Sequence, residues 1–170
     1  MNNQIISKLV EKATNDKYSG VIHIENNGHK LIEYISGMED RIKKIPITHD
    51  TLFAVASGTK FLTALAIGKL IDIGKLTLDS KVKDIYDLGI DTYNPNIKIK
   101  HLLAHTSGMP DYFDEDIVKD FDQVVFDIPN NKLLYPKDFI PMFPKEKQHF
   151  EPGTKFKYNN QGYVYLAIII

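Results

Sequence analysis

Ser57-Gly58-Thr59-Lys60 places a hydroxyl and an amine three residues apart at the head of a long apolar run. If that run is helical, positions i and i+3 share a face and the two side chains can meet. The start of a helix also offers backbone N–H groups that favour negative charge, on an alkoxide or on an oxyanion beside it. A lysine in a mostly apolar setting has its ammonium form disfavoured, which lets it exchange a proton with a serine near neutral pH. Ser57 and Lys60 can therefore build an activated nucleophile. The alternative is a serine N-cap beside a solvated or paired lysine. Serine and lysine are common enough for this pattern to arise by chance about once in a chain of this size. Ser80-Lys81-Val82-Lys83 repeats it in polar surroundings without a helical run, and there Ser80 reads as a surface or capping residue.

Tyr158-Asn159-Asn160 is the second chemical element. A tyrosine beside a lysine ionises more easily, and a phenolate is a competent base for a serine hydroxyl. Asn160 carries both a donor and an acceptor, so it can orient Lys60 while holding a substrate carbonyl. One residue separates Tyr158 from Asn160, a spacing that turns both side chains toward one cleft and Asn159 away from it. The plainer alternative is an exposed tyrosine followed by an asparagine helix cap.

The elements that must position these groups are legible in the apolar pattern. Ile5, Ile6, Leu9, Val10 and Ala13 recur with helical spacing near the N-terminus. Residues 18–24 and 30–36 read as two strands, joined through Asn27-Gly28, whose tolerance of positive φ suits a tight hairpin turn. Residues 46–52 read as connecting chain. SGTKFLTALAIGKLIDI (57–73) is apolar on nearly every side, which predicts a helix packed by neighbours all round and closed by Gly74. All prolines except Pro46 lie after residue 94, so residues 109–153 are expected to form short helices joined by loops. The closing YNNQGYVYLAIII resumes as a helix whose apolar run continues to Ile170. A buried helix seldom ends a protein uncapped, and two strands make no stable sheet alone. Both features lead to the expectation that the chain is one piece of something longer.

Composition narrows the class. The chain has 170 residues, 43% of them hydrophobic and 25% charged, close to globular averages and unlike disordered or fibrous chains. A net charge of −1 with no basic run gives no footprint for nucleic acid. Cysteine is absent, which excludes disulfides, thiolate nucleophiles and cysteine zinc sites. The longest apolar stretch, residues 163–170, falls far short of the ~20 residues of a membrane span. The N-terminus shows no uncleaved signal peptide, so the chain reads as cytoplasmic as written, or as exported if a leader has been removed. His101 and His105 are four apart but lack the acidic partner of a His-Glu-x-x-His zinc site. No metal or organic cofactor is expected.

Three segments together resemble one family. Residues 51–82, TLFAVASGTKFLTALAIGKLIDIGKLTLDSKV, are similar to the nucleophile region of the beta-lactamase-related serine hydrolases. IKHLLAHTSG (99–108) resembles that family's Leu-Leu-x-His-Thr-Ser-Gly segment, and PGTKFKYNNQGY (152–163) its Pro-Gly-x-x-Phe-x-Tyr-x-Asn-x-Gly-Tyr segment. The family includes class C beta-lactamases, D-alanyl-D-alanine carboxypeptidases, D-aminopeptidases and esterases. The resemblance implies an α+β fold: an antiparallel sheet flanked by helices, plus a mostly helical lobe, incomplete in this chain. Residues 1–80 would be the N-terminal part of the α/β domain, with the nucleophile helix, and residues 81–170 the start of the helical lobe. It implies Ser57 as acylated nucleophile, with its backbone N–H as half of an oxyanion hole. Lys60 would be the partner in proton transfer, Tyr158 the base or base relay, and Asn160 a substrate-binding residue. His105, Thr106 and Ser107 would be structural.

The implied substrate is a small molecule or short peptide: an amide, beta-lactam, D-amino acid peptide or ester. No Ser-Asp-Asn triplet occurs, which argues against the class A arrangement. The family's third motif, Lys-Thr-Gly or His-x-Gly on a strand, is also absent, and a complementary C-terminal fragment of the same protein is the expected source. The alternative function is a non-catalytic protein of the same fold that binds or senses a peptidoglycan-like ligand.

Overall fold

The apolar stripe of the first segment lies along α1 (Asn3–Asn15), where Ala13 is buried and Ile6, Leu9 and Val10 are half-buried. The computed structural model describes residues 3–118 and 120–170; Met1 and Asn2 of the expected helix, and Lys119 in the loop region, lie outside them. By contacts the chain divides into two compact units, residues 1–54 and 55–170. The helix that begins at Thr59 falls in the second of these units.

In the first unit β1 (Gly20–Asn26) pairs antiparallel with β2 (His29–Ser36), in a register that sets Gly20 opposite Ser36 and Asn26 opposite His29. Asn27 (φ 50°) and Gly28 (φ 75°) form the turn, both with the positive φ that a primed hairpin turn needs. A second hairpin, β3 (Met38–Asp40) with β4 (Ile45–Pro46), falls partly in a segment read as connecting chain. Its turn is shaped by Asp40, whose Oδ1 accepts the N–H groups of Ile42 and Lys43, both at 2.9 Å. Strands this short carry no period for a sequence to display.

The second unit is helical. A 3₁₀ turn at Ala56–Gly58 leads into α2 (Thr59–Asp72). Gly74 closes α2 as expected: its N–H reaches the Ile71 carbonyl and that of Lys75 the Leu70 carbonyl, which satisfies orphan acceptors of the last turn. Short helices α3 (Val82–Ile85) and α4 (Ile99–Leu103) follow, tied together by Val82 N–H to the Ile97 carbonyl at 3.0 Å. The loop region holds 3₁₀ turns at Phe121–Gln123, Asn130–Lys132 and Pro136–Met142. The chain closes with α5 (Asn160–Ile169). Ile67 of α2, Ile99 and Leu102 of α4, and Tyr165 and Leu166 of α5 meet in one core with Val82, Ile97 and Met109. Full burial of an aliphatic side chain of this size stabilises by about 1.5–3 kcal/mol.

One expectation changes. Helix α2 is not packed all round: Ile67 is its single buried residue, whereas Phe61 (66%), Leu62 (62%) and Leu65 (54%) are exposed. Within the unit it packs mainly on α5 and the preceding 3₁₀ turn, with Ile67, Leu70 and Ile71 facing the core, so the face carrying Phe61, Leu62 and Leu65 stays open. Among the described residues no helix is long and apolar enough to cross a membrane.

Candidate active site

Ala56 precedes the serine with φ 42°, a conformation that non-glycine residues adopt rarely and at a cost of about 1–3 kcal/mol. That bend sets Ser57 in the 3₁₀ turn, exposed, with Lys60 one turn on along α2. Lys60 Nζ donates to Ser57 Oγ at 3.1 Å and to Asn160 Oδ1 at 2.8 Å. The ammonium also lies over two aromatic faces, 4.8 Å from the Tyr158 ring centroid and 5.8 Å from that of Tyr163. The Tyr158 hydroxyl donates to Ser57 Oγ at 2.9 Å. All four residues singled out in the sequence thus converge on one oxygen or on its immediate partner. Ser80 behaves differently: its Oγ accepts the Thr77 N–H at 2.9 Å within a turn.

The segment carrying Tyr158 and Asn160 is fixed from beneath. Asn159 is buried and faces away from Ser57; its Oδ1 accepts the Gly162 N–H at 2.6 Å, the N-cap of α5, and its Nδ2 donates to the carbonyls of Met109 (2.9 Å) and Pro110 (3.2 Å). His105, at φ 55°, accepts the Asn159 N–H on Nδ1 at 3.1 Å, while its carbonyl takes the Lys157 N–H at 2.9 Å. Its ring lies between Tyr158 (centroids 4.5 Å apart) and Tyr163 (5.0 Å). Burial, and then the charge of Lys60, lower the His105 pKa, so the ring is neutral with its proton on Nε2. Gly108 ends this turn at φ 76°, and a Cβ there would collide with the Phe150 carbonyl oxygen. The HTSG segment therefore serves as the bed on which the tyrosine–asparagine segment rests.

Two site residues gave no distinct signal in the sequence. Asp111 receives the backbone N–H groups of Asn160, Gln161 and Phe113, which ties the chain after HTSG to the head of α5. Burial pushes its carboxyl upward, against the pull of those three donors. Glu115 lies beside Asn160, whose Nδ2 donates to Glu115 Oε1 at 3.1 Å and to the Phe113 carbonyl at 3.0 Å. Both N–H bonds of the Asn160 amide are therefore occupied. A cleft of about 390 Å³ is lined by Ser57, Lys60, Tyr112, Phe113, Glu115 and Asn160 among others, and Tyr158 is not part of its lining.

The arrangement has the parts of a serine nucleophile with two proton-transfer partners. The family model described as Beta-lactamase matches residues 3–170. Protein flp of Staphylococcus aureus (strain N315) is 33% identical, over 98% of this chain and 32% of that protein. Penicillin-binding protein 4* of Bacillus subtilis (strain 168) is 31% identical, over 91% of this chain and 32% of that protein. The crystal structure of a penicillin binding protein from Bacillus halodurans superposes with a TM-score of 0.83 at 38% identity, covering 94% of this chain and 48% of that one. The chain spans about a third of the length of the two curated relatives.

Proposed function

Because the chain belongs to the beta-lactamase family, we propose that Ser57 is the acylated nucleophile of a serine hydrolase acting on an amide, beta-lactam, D-amino acid peptide or ester carbonyl. The observation that carries this reading is the double engagement of Ser57 Oγ, by Lys60 at 3.1 Å and Tyr158 at 2.9 Å. Both lie within reach for a proton to pass in the transition state.

The reacting form carries Tyr158 as phenolate beside the Lys60 ammonium, and in the forward step Ser57 Oγ bonds to the carbonyl carbon as its proton passes to that phenolate oxygen. The carbonyl electrons move onto oxygen, where the Ser57 backbone N–H supplies one donor. Collapse expels the amine or alkoxide, which takes the proton back, and leaves an ester on Ser57. Water then attacks that ester by the same route in reverse. The second oxyanion donor belongs to the Lys-Thr-Gly or His-x-Gly strand, which the 170 residues do not contain and a complementary segment would bring. Asn160 orients Lys60 through its Oδ1.

The test is intact mass after exposure to a broad serine-reactive phosphonate, beside Ser57→Ala. One adduct that the substitution abolishes is the expected result. Absence of an adduct on folded protein supplied with the third motif would overturn the reading in favour of a fold kept for binding.

A further inference from the structure

Lys60 is met by oxygen dipoles and aromatic rings rather than by an anion. Among the described residues no ion pair holds it; its Nζ is met by Ser57 Oγ at 3.1 Å, by Asn160 Oδ1 at 2.8 Å and by the faces of two tyrosines. Tyr158 has a part in the reaction through its hydroxyl on Ser57. Tyr163 has none of that kind, because its hydroxyl donates to the Leu103 carbonyl at 3.0 Å. Burial, and then the charge of Tyr158, push the Tyr163 phenol upward, so it stays protonated.

The Tyr163 ring is fixed on several sides. The His105 ring lies against it with centroids 5.0 Å apart, and it packs on the core of the second unit. Tyr163 stands three residues after Asn160 on α5, so the two share a helix face and line the same cleft as Ser57 and Lys60. One of them grips Nζ through an oxygen, and the other presents a ring whose centroid is 5.8 Å away. An ammonium is drawn to such a face by the ring quadrupole. Two of its three N–H donors are already spent on Ser57 and Asn160. The lysine stem is flexible, and its rotamer freedom must be given up before Nζ can sit on both oxygens. The Tyr158 ring changes charge as the serine proton comes and goes. Tyr163 does not, and its face is the same at every stage of the reaction.

We propose that Tyr163 is a positioning residue for Lys60: its anchored ring face holds the ammonium on Ser57 Oγ and Asn160 Oδ1 while protons move between Ser57 and Tyr158. The effect on rate rests on the reading of Ser57 as the nucleophile, whereas the placement of Lys60 does not.

Ring shape and ring electrostatics can be tested apart. Tyr163→Phe keeps the face and loses only the Leu103 contact, and should label with phosphonate at nearly the rate of the unsubstituted protein. Mono-, di- and trifluorinated phenylalanine in place of Tyr163 preserve that shape while withdrawing charge from the face in steps. Phosphonylation of Ser57 should slow with each fluorine, ending about two- to fivefold below Tyr163→Phe. In Lys60→Met the fluorines should have no effect on labelling. On Ser57→Ala, trace acetylation of the Lys60 amine, read by peptide mass, should quicken by about the same two- to fivefold as the ring loosens its hold. A ring that only fills the core gives no fluorine dependence, so its absence from either series overturns the proposal, as does a dependence of labelling that persists in Lys60→Met. An adduct with fluorine-independent acetylation removes the role of Tyr163 and leaves the hydrolase. Fluorine-dependent acetylation with no adduct on folded protein removes the hydrolase and leaves Lys60 held by the ring.

Discussion

At the level of single residues, Ser57, Lys60, Tyr158 and Asn160 form one hydrogen-bonded group, so their removal should not be additive. Lys60→Met and Tyr158→Phe should each slow phosphonylation of Ser57 by roughly 10²- to 10⁴-fold. The double variant should be little slower than the slower single one. Stopped-time intact-mass series on the four proteins measure this, and a strictly multiplicative loss would mean that Lys60 and Tyr158 act independently. The pairing of Ser57 with Lys60 was legible because i and i+3 meet on any helix. Glu115 was not, because an acid among acids in a loop carries no period, and its approach to Asn160 depends on Lys157 holding both neighbours.

At the level of elements, the head of α5 is set by one buried side chain. Asn159→Ala removes an N-cap, worth about 0.5–2 kcal/mol, and leaves the Met109 and Pro110 carbonyls short of a donor, about 1–3 kcal/mol more. The expected result is a loss of about 2–4 kcal/mol, read as faster amide hydrogen exchange across residues 160–169. Asn159→Asp keeps the capping acceptor and should recover part of it. Unchanged protection in Asn159→Ala would show that core packing of Tyr165 and Leu166 alone holds the helix. The α5 run and the Asn27-Gly28 hairpin could be read from pattern and turn chemistry. The second hairpin, Met38–Asp40 with Ile45–Pro46, could not, since its turn is made by the Asp40 side chain rather than by a glycine.

For the whole molecule, titration should act on the two units with opposite sign. In the second unit burial lowers the pKa of His101 and of His105 from the ordinary 6.5, and each accepts a backbone N–H on Nδ1. Below pH 6.5 the unfolded chain takes up protons that the folded unit refuses, so stability from these histidines is present above that pH. It is lost as the pH falls through their folded values. In the first unit His23 is raised by its hydrogen bond to Glu25 and then by that to Glu33. Its contribution is present below pH 6.5 and is lost as the pH rises through the raised value. Hydrogen exchange at pH 7.5 and 5.5, corrected for intrinsic rates, should show protection falling in residues 99–108 and rising in residues 20–36. His105→Asn tolerates the positive φ and keeps an acceptor, and should reduce the response of the second unit to the share carried by His101. A response unchanged by that substitution would assign it to His101 alone, because the raised carboxyl of Asp111 acts with the opposite sign.

The sequence by itself determined the longer elements and named the candidate site: apolar periods wrote α1, α2 and α5, and local spacing put Ser57 over Lys60 and turned Asn159 away from Asn160. Those are short-range consequences of helix and extended-chain geometry. Tertiary structure alone decided what lies a hundred residues apart, the 2.9 Å contact of Tyr158 with Ser57 and the 2.8 Å contact of Lys60 with Asn160. It also decided that Phe61, Leu62 and Leu65 stay exposed on a helix whose composition suggests full burial, because burial depends on which elements arrive at a face and not on the residues that form it.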